Sequence, residues 1–598
     1  KQKNKKQRNK KQSKKQKTKR TLVIFFRGWT SNSDYLIRLS GRQSGELSQS
    51  FRDCLETAYP YCEVLNLDLD LSLFSCEKPD DLVQQAIEQI DDIWDADTFE
   101  EIVIVGYSMG GPIARKTYVV AAGVDPFGKV NSAEQKSWAP KVTKILYVSG
   151  ILRGWSISTA TPANLRFAAP FLSGLVFLAT KLRRKTALLS ELSRGTPFII
   201  SGRLLQIALE NYLKKEKKTF PDVISVIGTQ DEFISPADCI ELTRQSQSTF
   251  VEIPNSKHAD LLHLDNSDTE KNRRRDLLLK ILTISPKDLR DQAIAINEDD
   301  INDYFDDLDR PNSHTATDGH EDVKHVVMIL HGIRDNGFWT KRIAKSVKVL
   351  GERPIYRAPS PSYGFFSILD FLRPWVRTRQ SHWLLEQYAE VKDCYRSADV
   401  SFIGHSNGTY LAKRALELCN AVNFKNIVLA GSVIRTDHDW SKQQDQIQGE
   451  ILNLKGAKDS IVAWLPGTME RLNLKFLDVG GAGYHGFQQN CQLEDDQRSS
   501  SKPAVHEFIL PGGHSAGVAE QAWDCISQFV VAGAIPKPFP PTPRLSSFWD
   551  RIMPIFQVGL LAAIGTLLYL LLTPLALAAS ALALLAIGWL LSKLLKFY

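Results

Sequence analysis

The sequence predicts two α/β domains in tandem, each built on a mostly parallel, doubly wound sheet, followed by a C-terminal transmembrane helical hairpin. Three observations predict this. First, the 598 residues are too many for one ordinary hydrophobic core, since domains run to roughly 100–200 residues each. Second, the same succession of short apolar runs and helical stretches occurs on both sides of an acidic segment. Third, residues 552–592 contain no charged side chain.

Residues 1–20 hold 12 Lys or Arg and no acid, so the formal charge of +7 belongs to this arm and the rest of the chain is net acidic. A charge run of this kind is expected to be a disordered, solvated arm. It also suits anionic lipid head groups, at about 1 kcal/mol per basic residue near the surface. It lacks aromatic residues on which bases could stack, so nucleic acid is not an expected partner.

In the first domain, residues 21–283, the β-branched and aromatic runs Leu22–Phe26, Ile102–Val105, Ile145–Val148, Val223–Ile227 and Thr249–Ile253 read as buried strands. Helical stretches such as Pro112–Ala122 separate them, the pattern of a parallel sheet. An insertion at about residues 151–219 is expected to form a lid, and residues 165–180 within it are strongly apolar. Residues 284–322 are expected to be an acidic linker.

The second domain, residues 323–533, repeats the pattern with strands Val326–Leu330, Val400–Ile403, Ile427–Ala430, Ile451–Leu454 and Glu507–Leu510. Residues 363–383 add Phe365, Phe366, Phe371 and Trp375. A Pro-rich spacer, 534–551, leads to the charge-free run. As one helix that run would measure about 60 Å against a hydrocarbon core of about 30 Å, so two passes are expected, with the bend at Thr573-Pro574. Arg544, Arg551, Lys593 and Lys596 flank it, which by the positive-inside rule keeps both ends cytoplasmic. The eight cysteines are scattered, without a CxxC pair or metal-ligand spacing, and Thr21–Phe26 is too short for a signal-peptide core. The expected location is a membrane with the globular domains in the cytoplasm. The chain begins at Lys1, which leaves upstream targeting signals undecided.

Gly106-Tyr107-Ser108-Met109-Gly110 and Gly404-His405-Ser406-Asn407-Gly408 both match G-x-S-x-G. One chance match in a chain this long has odds of roughly one in five, so the pattern alone is weak. Its setting is stronger: each copy follows an apolar strand and precedes an amphipathic helix, Pro112–Ala122 or Tyr410–Cys419. A sharp turn there projects the serine hydroxyl at the strand's C-terminal edge, over a helix N-terminus that favours negative charge.

On these motifs both halves resemble the α/β-hydrolase superfamily, over about 21–283 and 323–533. The resemblance implies two tandem α/β-hydrolase domains with catalytic residues in the chain order Ser, Asp, His. Carried over to this chain, it nominates Ser108, Asp231 after strand Val223–Ile227, and His258 after Thr249–Ile253. In the second half it nominates Ser406, Asp459 after Ile451–Leu454, and His514 after Glu507–Leu510. Asp238 and His263 are the substitutes in the first half, and Asp478, His485 and His506 in the second. The family's oxyanion hole uses the N–H of the residue after the serine, here Met109 and Asn407, and one from the loop after the first strand. That loop often reads His-Gly. The second half has His331-Gly332 and nominates Ile333. The first half has Arg27-Gly28 and nominates Trp29, a departure that makes Ser406 the more dependable of the two serines.

The implied activity is hydrolysis of a carboxylic ester, small-molecule or lipid, by a serine esterase or lipase through an acyl-enzyme. The same residues could serve a thioesterase or acyltransferase, or one or both domains could be a catalytically inactive, membrane-tethered binding scaffold. The chain has no HExxH and no P-loop, and no metal and no cofactor is expected.

Overall fold

The structure is a computed structural model that describes residues 20–29, 47–72, 75–96, 98–156, 187–239, 248–264, 268–292, 294–295, 323–332, 338–351, 356–359, 361, 368–488 and 503–533, with scattered positions between 555 and 569. The basic arm before residue 20, the apolar stretch 165–180, the Pro-rich spacer and nearly all of the expected hairpin lie outside the described residues. Among the described residues no helix is long and apolar enough to cross a membrane.

Two six-stranded sheets form, and every strand pair in both is parallel. The first contains β1 (Thr21–Phe26), β2 (Glu63–Asn66), β3 (Glu101–Tyr107), β4 (Val142–Val148), β5 (Asp222–Gly228) and β6 (Ser248–Ile253), in the order β2-β1-β3-β4-β5-β6. The second contains β7 (His325–Leu330), β8 (Tyr356–Arg357), β9 (Asp399–His405), β10 (Ile427–Ala430), β11 (Ile451–Gly456) and β12 (Val505–Leu510), in the equivalent order β8-β7-β9-β10-β11-β12. The ten apolar runs become strands because parallel strands are buried on both faces. β2 and β8 had no such signal: β2 is an edge strand with solvent-facing residues, and β8 is only two residues long.

The principal helices are α1 (Gln49–Ala58), α2 (Pro79–Ile93), α3 (Gly110–Ala121), α4 (Pro197–Lys215) and α5 (Thr269–Thr283) in the first domain. The second has α6 (Phe338–Leu350), α7 (Pro374–Cys394), α8 (Asn407–Leu418), α9 (Ser460–Arg471) and α10 (Glu520–Ala532). Their starts follow ordinary capping chemistry. The side chains of Ser48, Asp268 and Asp459 accept first-turn N–H groups of α1, α5 and α9, and proline opens α2, α4 and α7.

Alternation along the strands divides the core. Leu22, Ile24 and Phe26 face one side of the first sheet, and Val23 and Phe25 face the other, against Leu278 and Ile281 of α5. In the second sheet Met328 and Leu330 face one side, and Val327 and Ile329 the other, against Ile526 and Phe529 of α10. The clusters on the Leu22 and Met328 faces are one continuous cluster, joined through Leu204, Leu205 and Leu209 of α4 and Leu384, Leu385 and Tyr388 of α7.

Two expectations change here. Residues 197–215, placed in the lid insertion, form α4, which packs between the domains because it is apolar on the face that meets α7. The linker begins later than residue 284: Ser285 caps the short helix Pro286–Asp291, and Leu289 is buried in the first domain's core.

Candidate active site

In both sheets the chain steps from the first strand to an outer neighbour, then crosses to the other side of the first strand. Strand order therefore reverses between β1 and β3, and between β7 and β9. Side chains at the carboxyl ends of strands flanking such a point face a ready-made crevice. The loops that emerge there carry Gly28 and Ser108 in one domain and Gly332 and Ser406 in the other.

Ser108 and Ser406 have φ of 51° and 52°, in the left-handed region that non-glycine residues rarely occupy. This is the strained strand-to-helix turn the sequence motif required. α3 and α8 begin immediately afterwards, so each serine sits at a helix N-terminus. The loop after the first strand approaches so closely that a Cβ on Gly28 would lie 3.0 Å from the Ser108 Cβ, and one on Gly332 would lie 2.7 Å from the Ser406 Cβ. Glycine is required at both.

The acids and bases meet in both halves. His258 Nδ1 lies 2.8 Å from Asp231 Oδ2, and His514 Nδ1 lies 2.9 Å from Asp459 Oδ2. The Asp231 and Asp459 side chains are essentially inaccessible. Asp231 Oδ1 accepts the N–H groups of Phe233 and Ile234, each at 3.0 Å, and Oδ2 also accepts the Ser149 hydroxyl at 2.7 Å. Burial by itself would raise the Asp231 pKa. The His258 charge and hydrogen bond, the Ile234 N–H and the Ser149 hydroxyl outweigh it, and the carboxyl is held below its usual range. Asp459 Oδ1 accepts the Val462 N–H at 3.0 Å, so the same carboxylate caps α9 and holds the histidine.

The residue before each serine packs on the base. The Tyr107 hydroxyl donates to the His258 carbonyl at 3.2 Å with ring centroids 5.0 Å apart, and Phe233 meets His258 edge-on. The His405 ring lies 4.8 Å from that of His514, with Nε2 3.3 Å from the His514 carbonyl oxygen, and Trp339 meets His405 edge-on. Serine and histidine are thus brought to one edge of each sheet. Among the described residues neither serine hydroxyl is hydrogen-bonded to its histidine.

Among the described residues, neither the Trp29 nor the Met109 backbone N–H has a protein acceptor. Asn407 opens α8, where an N–H has no intrahelical acceptor. Ile333 lies outside the described residues. Arg27, which replaces the histidine of the other half, turns away from the site: its guanidinium bonds the Leu69 carbonyl and pairs with Asp68.

The substitute candidates are occupied elsewhere. Asp238 pairs with Arg194, Asp478 with Lys413, His485 with Arg471, and His506 with Glu450. His263 ends the short turn Ala259–Leu262. Sequence reasoning missed Ser149, Tyr107 and His405. Tyr107 and His405 were visible as motif residues; the Ser149 contact depends on a left-handed φ of 43° that no sequence signal marks.

No family model matches the chain, and no curated relative matches it. Similar solved structures include phospholipase PlaB from Legionella pneumophila, at 10% identity and a TM-score of 0.31, covering 48% of this chain and 63% of that one. A bromoperoxidase from Bacillus anthracis is similar at 11% identity and a TM-score of 0.25, covering 44% of this chain and 92% of that one. The esterase Pf2001 from Pyrococcus furiosus is similar at 13% identity and a TM-score of 0.22, covering 35% of this chain and 82% of that one. Sheet order, the two positive-φ serine turns and the Asp and His loops that follow them match the parallel α/β architecture that the sequence resemblance implies for each half.

Proposed function

We propose that the chain is a membrane-attached serine hydrolase that cleaves carboxylic esters, lipid esters among them, with a Ser-Asp-His triad in each half. The observation that carries this reading is the closed Asp–His pair beside a positive-φ serine, built twice from equivalent strands.

The chemistry follows from the atoms. Histidine Nε2 takes the serine proton as Oγ attacks the ester carbonyl, while the aspartate holds Nδ1–H and stabilises the imidazolium. The oxyanion forms on the N–H groups of Trp29 and Met109 in the first site, and of Asn407 in the second. Histidine then protonates the leaving alcohol, and water repeats the steps in reverse to release the acid. The uncharged run 552–592 and the basic arm favour attachment to a membrane, and the apolar stretch 165–180 and the aromatic-rich stretch 363–383 favour a hydrophobic acyl group.

A fluorophosphonate should label both Ser108 and Ser406. Ser406→Ala should remove most turnover of a generic ester, since loss of a nucleophile costs on the order of 10⁶-fold in favourable cases. Ser108→Ala should remove a smaller share or change the preferred acyl length. The double variant should be inert across an acyl-chain series; residual activity there sinks both triads.

A further inference from the structure

The loop after β4 touches three parts of the first site. Ser149 Oγ bonds Asp231, the Ile151 N–H donates to the Ser108 carbonyl at 3.3 Å, and the Arg153 N–H donates to the Asp238 carbonyl at 2.9 Å. Asp238 belongs to the short helix Pro236–Cys239 that closes the acid loop. Arg153 Nη1 also donates to Ala237 O at 3.2 Å.

The far side of Arg153 belongs to the other domain. Its Nη2 lies 3.0 Å from Glu386 and 2.9 Å from Glu390, both on α7, and Arg203 of α4 pairs with the same two carboxylates at 3.3 and 3.0 Å. All four side chains are at least nine-tenths buried. Beside them a Cβ on Gly195 would lie 2.5 Å from the His382 carbonyl oxygen, so the domains meet at backbone distance. Two guanidiniums balance two carboxylates, and a planar guanidinium fixed at both ends transmits position well.

Among the described residues the second site has no such tie. Gly431 stands where the first has Ser149, and Arg435, four residues on like Arg153, pairs with Asp437 of its own loop.

We propose that Arg153 is a positioning residue through which the second domain sets the first triad: α7 holds the guanidinium, the guanidinium holds residues 149–153, and these hold Asp231 and Ser108. This rests on the triad reading of Ser108, Asp231 and His258.

The test uses the full chain in detergent and compares fluorophosphonate labelling rates at the two serines, resolved by peptide mass. In a Glu386→Gln/Glu390→Gln variant, labelling at Ser108 should slow tenfold or more and its pH profile should shift, while labelling at Ser406 stays within twofold. Both substitutions lie in the domain of Ser406, so a merely structural defect would strike that serine first. Arg153→Lys, which keeps the charge but not the fork, should slow Ser108 in the same direction by less. An unchanged Ser108 rate in both variants overturns the proposal, and so does a parallel fall at both serines. Failure of the unaltered chain to label at Ser108 overturns the triad reading instead.

Discussion

At the residue scale the two sites differ most at the position after the fourth strand of each sheet. Ser149, at φ 43°, is strained and uses its hydroxyl to hold Asp231; Gly431, at φ 54°, is unstrained and lies against the base. A Cβ on Gly431 would sit 2.9 Å from His514 Nδ1, the atom that meets Asp459. Gly431→Ala, measured in a Ser108→Ala background, should therefore lower kcat at Ser406 by about 10²-fold or more, the scale of displaced catalytic geometry. Ser149→Ala, measured in a Ser406→Ala background, should cost about tenfold or less, because His258 and two N–H groups still hold Asp231. The sign of its pH effect is fixed. Asp231 has a folded pKa below 3.8, so its stabilisation is present above that value and lost as pH falls through the depressed one. Removing the Ser149 hydroxyl moves acid loss of the first domain to higher pH, readable by circular dichroism.

At the scale of elements, the second domain carries histidines whose pKa is lowered by burial. His325, at the head of β7, meets the Ser401 hydroxyl at 2.8 Å; burial, then the Lys425 charge, lowers it to about 4. His438, in the loop after β10, is lowered to about 4 by burial and then by the Lys413 charge, and burial also lowers His382 on α7. A histidine pKa depressed from 6.5 resists protonation in the fold, so its contribution is full above pH 6.5 and is lost as pH falls towards 4. For His325 that is on the order of 3 kcal/mol at most. Acidification from pH 6.5 to 4 should destabilise the second domain progressively, and His325→Gln should flatten that loss. A denaturant midpoint that does not change with pH across this window refutes the assignment.

At the scale of the molecule, the first sheet's Leu22 face and the second sheet's Met328 face share one core, and the four charges of Arg153, Arg203, Glu386 and Glu390 close it. Removing one partner of a buried ion pair typically costs about 3–5 kcal/mol, because the other is left uncompensated. A protease site placed in residues 296–322 should leave two fragments that elute together in size exclusion at physiological salt. Residues 20–295 produced alone should be much less stable than in the full chain, since two guanidiniums and the apolar face of α4 lose their partners. Fragments that separate into stable monomers would refute a shared core.

Much of this protein was legible from residues alone because its strands are buried on both faces, which makes them continuous apolar runs. Their order along the chain, with a serine, an aspartate and a histidine each after a strand and in that order, marked both candidate sites. Edge strands β2 and β8 left no such trace, since half-exposed or two-residue strands carry no apolar run. Arg153, Arg203, Glu386 and Glu390 look in sequence like ordinary surface charges. Only tertiary packing buries them, because the contact joins side chains more than 180 positions apart and neither domain's local pattern encodes its partner's face. The tandem design and the candidate chemistry follow from local sequence; the union of the two domains, and the asymmetry between their sites, were decided by the packing of α4 against α7.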